Sequence, residues 1–156
     1  MRNSPEKKTP RELLEGVIEL RDKLEGGYTA TWHGAGERND GVIALGYPKY
    51  EDWLWNGIWD GIYLFDFLGG DYSLHREEFR FITEREAQSF DLNQLHTWFV
   101  CFGSGERFGD GMVASGAEDG TVYLIAERAV ELIEQDRSLL RMINSSEWTK
   151  DSGRPF

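Results

Sequence analysis

A chain of 156 residues has material for one core, large enough to bury roughly two-thirds of the surface its unfolded form exposes, and its size excludes a second independent core. Asp and Glu number 28 against 17 Lys and Arg, and the net charge of -11 repels a phosphate backbone, which argues against direct binding of DNA or RNA. With 40% hydrophobic residues, six Trp and a single cysteine, the fold needs neither a disulfide nor a metal to hold it.

Residues 1–9 are polar and are expected to form a flexible N-terminus. Thr9-Pro10 has the form of a helix cap followed by proline at the first helical position. Leu13, Leu14, Val17, Ile18, Leu20 and Leu24 then carry helical spacing as far as Gly26-Gly27. Between Tyr28 and Tyr47, Thr29, Thr31 and Trp32 precede the turn-rich GAGERNDG and the apolar Val42 to Leu45, which suits one small β-hairpin near residues 28–46. Pro48 opens a long apolar segment in which Trp53, Leu54, Gly57, Ile58, Gly61, Ile62, Phe65 and Leu68 share a helical face, with the two glycines admitting close approach of another helix. On the opposite face Trp59, Tyr63 and Phe67 lie among Asp52, Asn56, Asp60 and Asp66. A helix apolar nearly all round belongs at the centre of a fold, and Gly69-Gly70 stops it.

Leu74 to Ile82 reads as a shorter helix, although FRFIT also alternates as a strand would. DLNQ at 91–94 has the form of a capping box, Leu92, Leu95, Trp98, Phe99 and Phe102 make the apolar face behind it, and Gly103 is expected to end that helix in a left-handed cap. Asp110 is placed to cap a short helix from Gly111 to Glu118 closed by Gly120, and Thr121 to cap the last long helix, with Val122, Ile125, Ala126, Ala129, Val130, Leu132 and Ile133 inward. Residues 144–156 read as a tail with Trp148 as its large anchor. These elements predict a mainly α fold: a compact bundle of five or six helices in one domain spanning 10–143.

Chemistry concentrates in GSGERFGD, which places Glu106, Arg107 and Asp110 within five positions. A glycine-rich turn feeding a helix N-terminus binds anions through free N–H groups, and Arg107 adds a bidentate donor, but a capping Asp110 competes for the same N–H groups. The structural alternative has Glu106 and Arg107 tying the turn to neighbouring helices while Phe108 enters the core. The spacing fits neither GxGxxG nor GxxxxGK[ST], and HExxH, ExxH and CxxC are absent, so the sequence indicates no cofactor and no metal ligands. His33, His75 and His96 lie far apart with no GxSxG, and His33, beside Trp32, is the best placed of the three. Cys101, in WFVCF, reads as a small buried thiol. No apolar run suits a signal peptide or a membrane span, so a soluble, cytoplasmic protein without a membrane partner is expected.

The segment Trp98 to Ile133, with FVCFGSGERFGDG near its start, resembles a family of small bacterial, archaeal and phage proteins of unknown function, as do WHG at 32–34 and DGVIALGYPKY at 40–50. Gly105, Glu106, Arg107, Phe108, Asp110 and Gly111 match the family's C-terminal motif; Ser104 stands where that motif has an arginine and Gly109 where it has a cysteine. Those two departures count against a double-arginine anion clamp and a cysteine nucleophile. The resemblance implies no activity.

Trp32, His33, Trp59, Tyr63, Glu106, Arg107 and Asp110 are therefore the candidate ligand-binding residues, because aromatics beside carboxylates hold cations, sugars or nucleobases. The expectation is a non-enzymatic binding protein that sequesters a small polar or nucleotide-like ligand, or docks onto a host or defence protein. The alternatives are an enzyme acting on a phosphorylated or nucleotide substrate, with Arg107 holding phosphate and Glu106 or Asp110 as acid or base, and an acidic mimic of nucleic acid. A homodimer is compatible with the sequence.

Overall fold

The computed structural model describes residues 8–33, 36–37, 43–44, 47–106 and 111–145, with the side chains of 33, 36, 37, 43, 44 and 47 left out. Seven α-helices and two short antiparallel strand pairs lie among them, so the fold is mainly α with a small hairpin, as the sequence predicts.

Helix α1 (Pro10–Leu24) starts as its local chemistry dictates. The Thr9 hydroxyl accepts from the Glu12 N–H at 3.1 Å and the Glu12 carboxylate accepts from the Thr9 N–H at 2.8 Å, a reciprocal cap. Strands β1 (Thr31–His33) and β4 (Tyr47–Lys49) pair with Trp32 opposite Pro48, and β2 (Gly36–Glu37) pairs with β3 (Ile43–Ala44) inside them. The hairpin thus runs to Lys49, and among the described residues the strand that holds Pro48 pairs with β1 alone, where the missing N–H costs little.

Helix α2 (Asp52–Phe67) is central, packed on α1 and on α4 (Leu92–Glu106), while α1 also meets α6 (Thr121–Gln135). Leu20, Leu54, Ile58, Phe65, Phe99, Ile125 and Ile133 are all fully buried and belong to one core. The paired glycines of α2 serve two neighbours: a Cβ at Gly57 would meet Leu20 of α1, and one at Gly61 would overlap the Phe99 ring of α4. Asp60 corrects the sequence reading, which put it on the outer face. It is only 4% exposed and fits beside α1 where a Cβ at Gly16 would collide with its carboxylate, each oxygen of which accepts from Lys8 Nζ at 2.9 Å. Burial of the carboxylate is tolerated because a cation reaches it from the surface, the Lys8 side chain being 43% exposed.

Residues 74–82 are not a helix. Only Arg76–Glu78 makes a single 3-10 turn, and a four-residue helix α3 (Glu84–Ala87) follows with its own Thr83–Glu86 capping box. The stretch is held from outside itself: Thr97 Oγ1 donates to the Tyr72 carbonyl, Trp98 Nε1 to the Arg80 carbonyl, and Thr121 Oγ1 accepts from the Ile82 N–H at 3.0 Å. Thr121 is accordingly the first residue of α6 and not its cap; Gly120, at φ 102°, closes α5 (Met112–Asp119) and opens α6 together. The DLNQ box is present in full, with Asp91 and Gln94 exchanging side chain to backbone bonds at 2.9 and 3.0 Å. Gly103 does not end α4. It lies inside the helix, where a Cβ would press on Ile62 of α2 at 2.7 Å, so close approach and not left-handed geometry explains the residue. Cys101 is half-buried, and burial pushes its thiol pKa up. After α6 the chain breaks at Asp136, whose carboxylate caps a separate helix α7 (Arg137–Asn144). Trp148 and the rest of 146–156 lie outside the described residues, as do 1–7. Among the described residues no helix is long and apolar enough to cross a membrane.

Candidate functional site

The outward side of α2 carries Trp55, Trp59 and Tyr63 at four-residue spacing, one above the next. Their rings touch in sequence: Trp55 meets Trp59 edge-on at 6.1 Å between centroids, and Trp59 meets Tyr63 at 6.0 Å. Tyr50, just before the helix, stacks on Trp55 at 6.0 Å with the planes within 5° of parallel, extending the row to four rings. Trp59 also lies against α4, since its indole would sit 3.5 Å from a Cβ at Gly103.

From Tyr50 the row reaches the glycine-rich turn. The Tyr50 hydroxyl donates to the Glu106 carboxylate and accepts from the Ala114 N–H at 3.1 Å. Burial and then the Glu106 bond hold that phenol well above its ordinary range, so its proton stays in place. Glu106, the last residue of α4, accepts from the N–H of Gly111 at 2.9 Å and of Val113 at 2.8 Å. A carboxylate from the preceding helix therefore fills the N-terminus of α5, which the sequence reading assigned to Asp110. Gly111, at φ 101°, lets the chain turn into α5 and leaves room for Trp32, whose ring would lie 2.9 Å from a Cβ there. Glu106→Ala removes both acceptors at once. It is expected to lower stability by about 1 kcal/mol through loss of the cap, read as a shift of the urea midpoint.

The base of the hairpin is pinned beside this turn. Tyr28 donates to Glu51 at 2.6 Å and meets Trp53 edge-on at 6.0 Å, and the Glu118 carboxylate accepts from the Ala30 N–H at 2.7 Å. These bonds fix where β1 delivers Trp32.

Of the predicted residues, Trp59 and Tyr63 share one row, and Glu106 and Trp32 join it through Tyr50 and Gly111. His33 is paired opposite Tyr47 by its backbone in β1, and its side chain is outside the description; Arg107 and Asp110, with Phe108, lie outside the described residues. Tyr50 and Trp55 were absent from the sequence-based set. Trp55 was legible as the member of the row one turn before Trp59, whereas nothing local marks Tyr50, which acts on a residue 56 positions away (106 − 50).

Among the described residues the arrangement offers ring faces more than reactive groups. Glu106 is committed to backbone N–H groups, the Tyr50 proton is tightly held, and among the described residues no group of three or more His, Cys, Asp or Glu is placed to hold a metal. Comparison with curated proteins and with solved structures returns no match. The model of one family does match, over residues 9–135, which spans every element from α1 to α6 including the aromatic row and the Glu106 turn, and the chain therefore belongs to the family of unknown function DUF6508.

Proposed function

We propose that the protein is a non-enzymatic binding protein whose aromatic row takes a small polar, planar ligand by stacking. The observation that carries this reading is exposure at its margin: Tyr63, the outer end of the row, and Trp32, beside Gly111 at the turn the row reaches, are each 43% exposed, although large rings are more often drawn into the core. Tyr50, Trp55 and Trp59, the rest of the row, are half-buried, so the row is braced from behind while part of it meets solvent. Braced rings lose little freedom when a flat ligand arrives, which is what a stacking site requires.

The enzymatic alternative draws less support. It gives phosphate to Arg107 and the acid or base role to Glu106 or Asp110; Arg107 and Asp110 lie outside the described residues, and Glu106 uses its carboxylate to close the N-terminus of α5.

Titration calorimetry of the full chain against nucleosides and other flat polar metabolites tests the proposal. Trp32→Ala and Tyr63→Ala should each weaken the bound member of the panel by about tenfold while the melting temperature hardly moves. Saturable binding that neither substitution alters would remove the row from consideration.

A further inference from the structure

Resting on that binding reading, the charge pattern of α2 bears on what kind of ligand the row receives. Trp59 is seven positions from Asp52 and seven from Asp66, so a carboxylate stands about 10 Å along the axis to either side of the central ring. Each of these aspartates is three positions from a terminal ring of the helix row, Asp52 from Trp55 and Asp66 from Tyr63, the spacing at which helical side chains are neighbours.

Both aspartates are exposed, and among the described residues neither takes part in an ion pair. The helix sequence DWLWNGIWDGIYLFDF contains no lysine or arginine. Its third carboxylate, Asp60, is turned inward and matched by Lys8, so the charge that α2 buries has a cation and, among the described residues, the two that border the rings are paired with none. His96 lies near Asp66 but supplies little counter-charge: burial lowers its pKa, against the Gly70 backbone, Asp66 and Asp71, which favour the proton.

An aromatic face is negative, and a carboxylate one turn away adds to that potential. We infer that the outer row of α2 recognises a flat organic cation, a guanidinium group, in preference to a neutral base or a phosphate. A guanidinium stacks on a ring, sheds water more readily than an ammonium, and forks onto a carboxylate with two N–H groups, so one group satisfies the ring and the aspartate together.

Calorimetric titration of the full chain with n-butylguanidinium and its neutral isostere n-butylurea tests the inference, with adenosine as a neutral planar probe. The guanidinium should bind about tenfold more tightly than the urea, and Asp52→Asn or Asp66→Asn, whichever carboxylate the group forks onto, should remove much of that preference while leaving the melting temperature unchanged. A blocked arginine peptide added as a further arm distinguishes a protein side chain from a free small molecule as the source of the group. Equal affinity for guanidinium and urea, or preferences untouched by either aspartate change, overturns the inference. Adenosine binding through Trp32 and Tyr63 without guanidinium binding overturns it and leaves the binding reading intact; failure of every probe together with the metabolite panel removes both.

Discussion

Replacing Trp98 with alanine is expected to lower the unfolding free energy by about 3–5 kcal/mol, the range for deleting a fully buried aromatic. Trp98 has no exposure at all, meets Phe90 edge-on at 4.6 Å and Phe79 at 5.5 Å, and donates its indole N–H to the Arg80 carbonyl at 2.9 Å. Its loss leaves a void between α4 and the irregular segment 70–82, and that segment has few backbone bonds of its own to fall back on. Its internal backbone-to-backbone bonds are those of the Arg76–Glu78 turn and the Asp71 to Leu74 turn, with exposed side-chain bonds from Ser73 to Asp71, between His75 and Glu78, and from Arg80 to the Glu78 carbonyl. The damage should therefore be uneven. Amide exchange in 71–82 should rise most, and trypsin should cut at Arg76 or Arg80 before it cuts within α1 or α6. Uniform loss of protection over the whole chain would contradict this account of what holds the segment.

The same segment shows where sequence reasoning stops. Phe79, Phe81 and Ile82 are spaced for contact with other elements, since Phe79 and Phe81 pack on Phe102 and the Ile82 N–H finds Thr121. Local propensity therefore had no element to report. By contrast the ends of α1 and the start of α4 were legible because their bonds span three residues, Thr9 with Glu12 and Asp91 with Gln94. The cap of α5 was not, because Glu106 reaches five and seven residues forward, outside any local pattern, and left Asp110 as the nearest candidate. Gly103 was misread for a related reason: a glycine that ends a helix and a glycine that admits another helix look alike until the partner is known. The charge of Asp60 suggested the outer face, and only the space at Gly16 and the position of Lys8 explain why it faces in. For the candidate site, the row from Trp59 to Tyr63 follows from helical spacing, whereas the link from Tyr50 to Glu106 is tertiary and had no sequence signature.

Gly61→Ala is the sharpest test of how the central helix is seated. In an exposed helix this change would stabilise by about 1 kcal/mol, because alanine has less backbone freedom to lose. At Gly61 the new methyl would overlap the ring of Phe99, with Cγ only 2.8 Å away, and Phe99 is fully buried and stacked on Phe65 at 5.9 Å, so it has nowhere to turn. Overpacking of about 3 kcal/mol then outweighs the propensity gain, for a net loss of about 2 kcal/mol. Phe99→Leu alone should cost stability by opening space at the same contact. Combined with Gly61→Ala it should cost less than the sum of the two, since the methyl occupies what the ring vacates, and a double-mutant cycle in urea measures the difference. Strict additivity would mean that α2 and α4 do not meet through this pair. A coupling of about 1 kcal/mol or more would place the glycine and the phenylalanine in one contact, the one that sets how near α4 lies to the aromatic row.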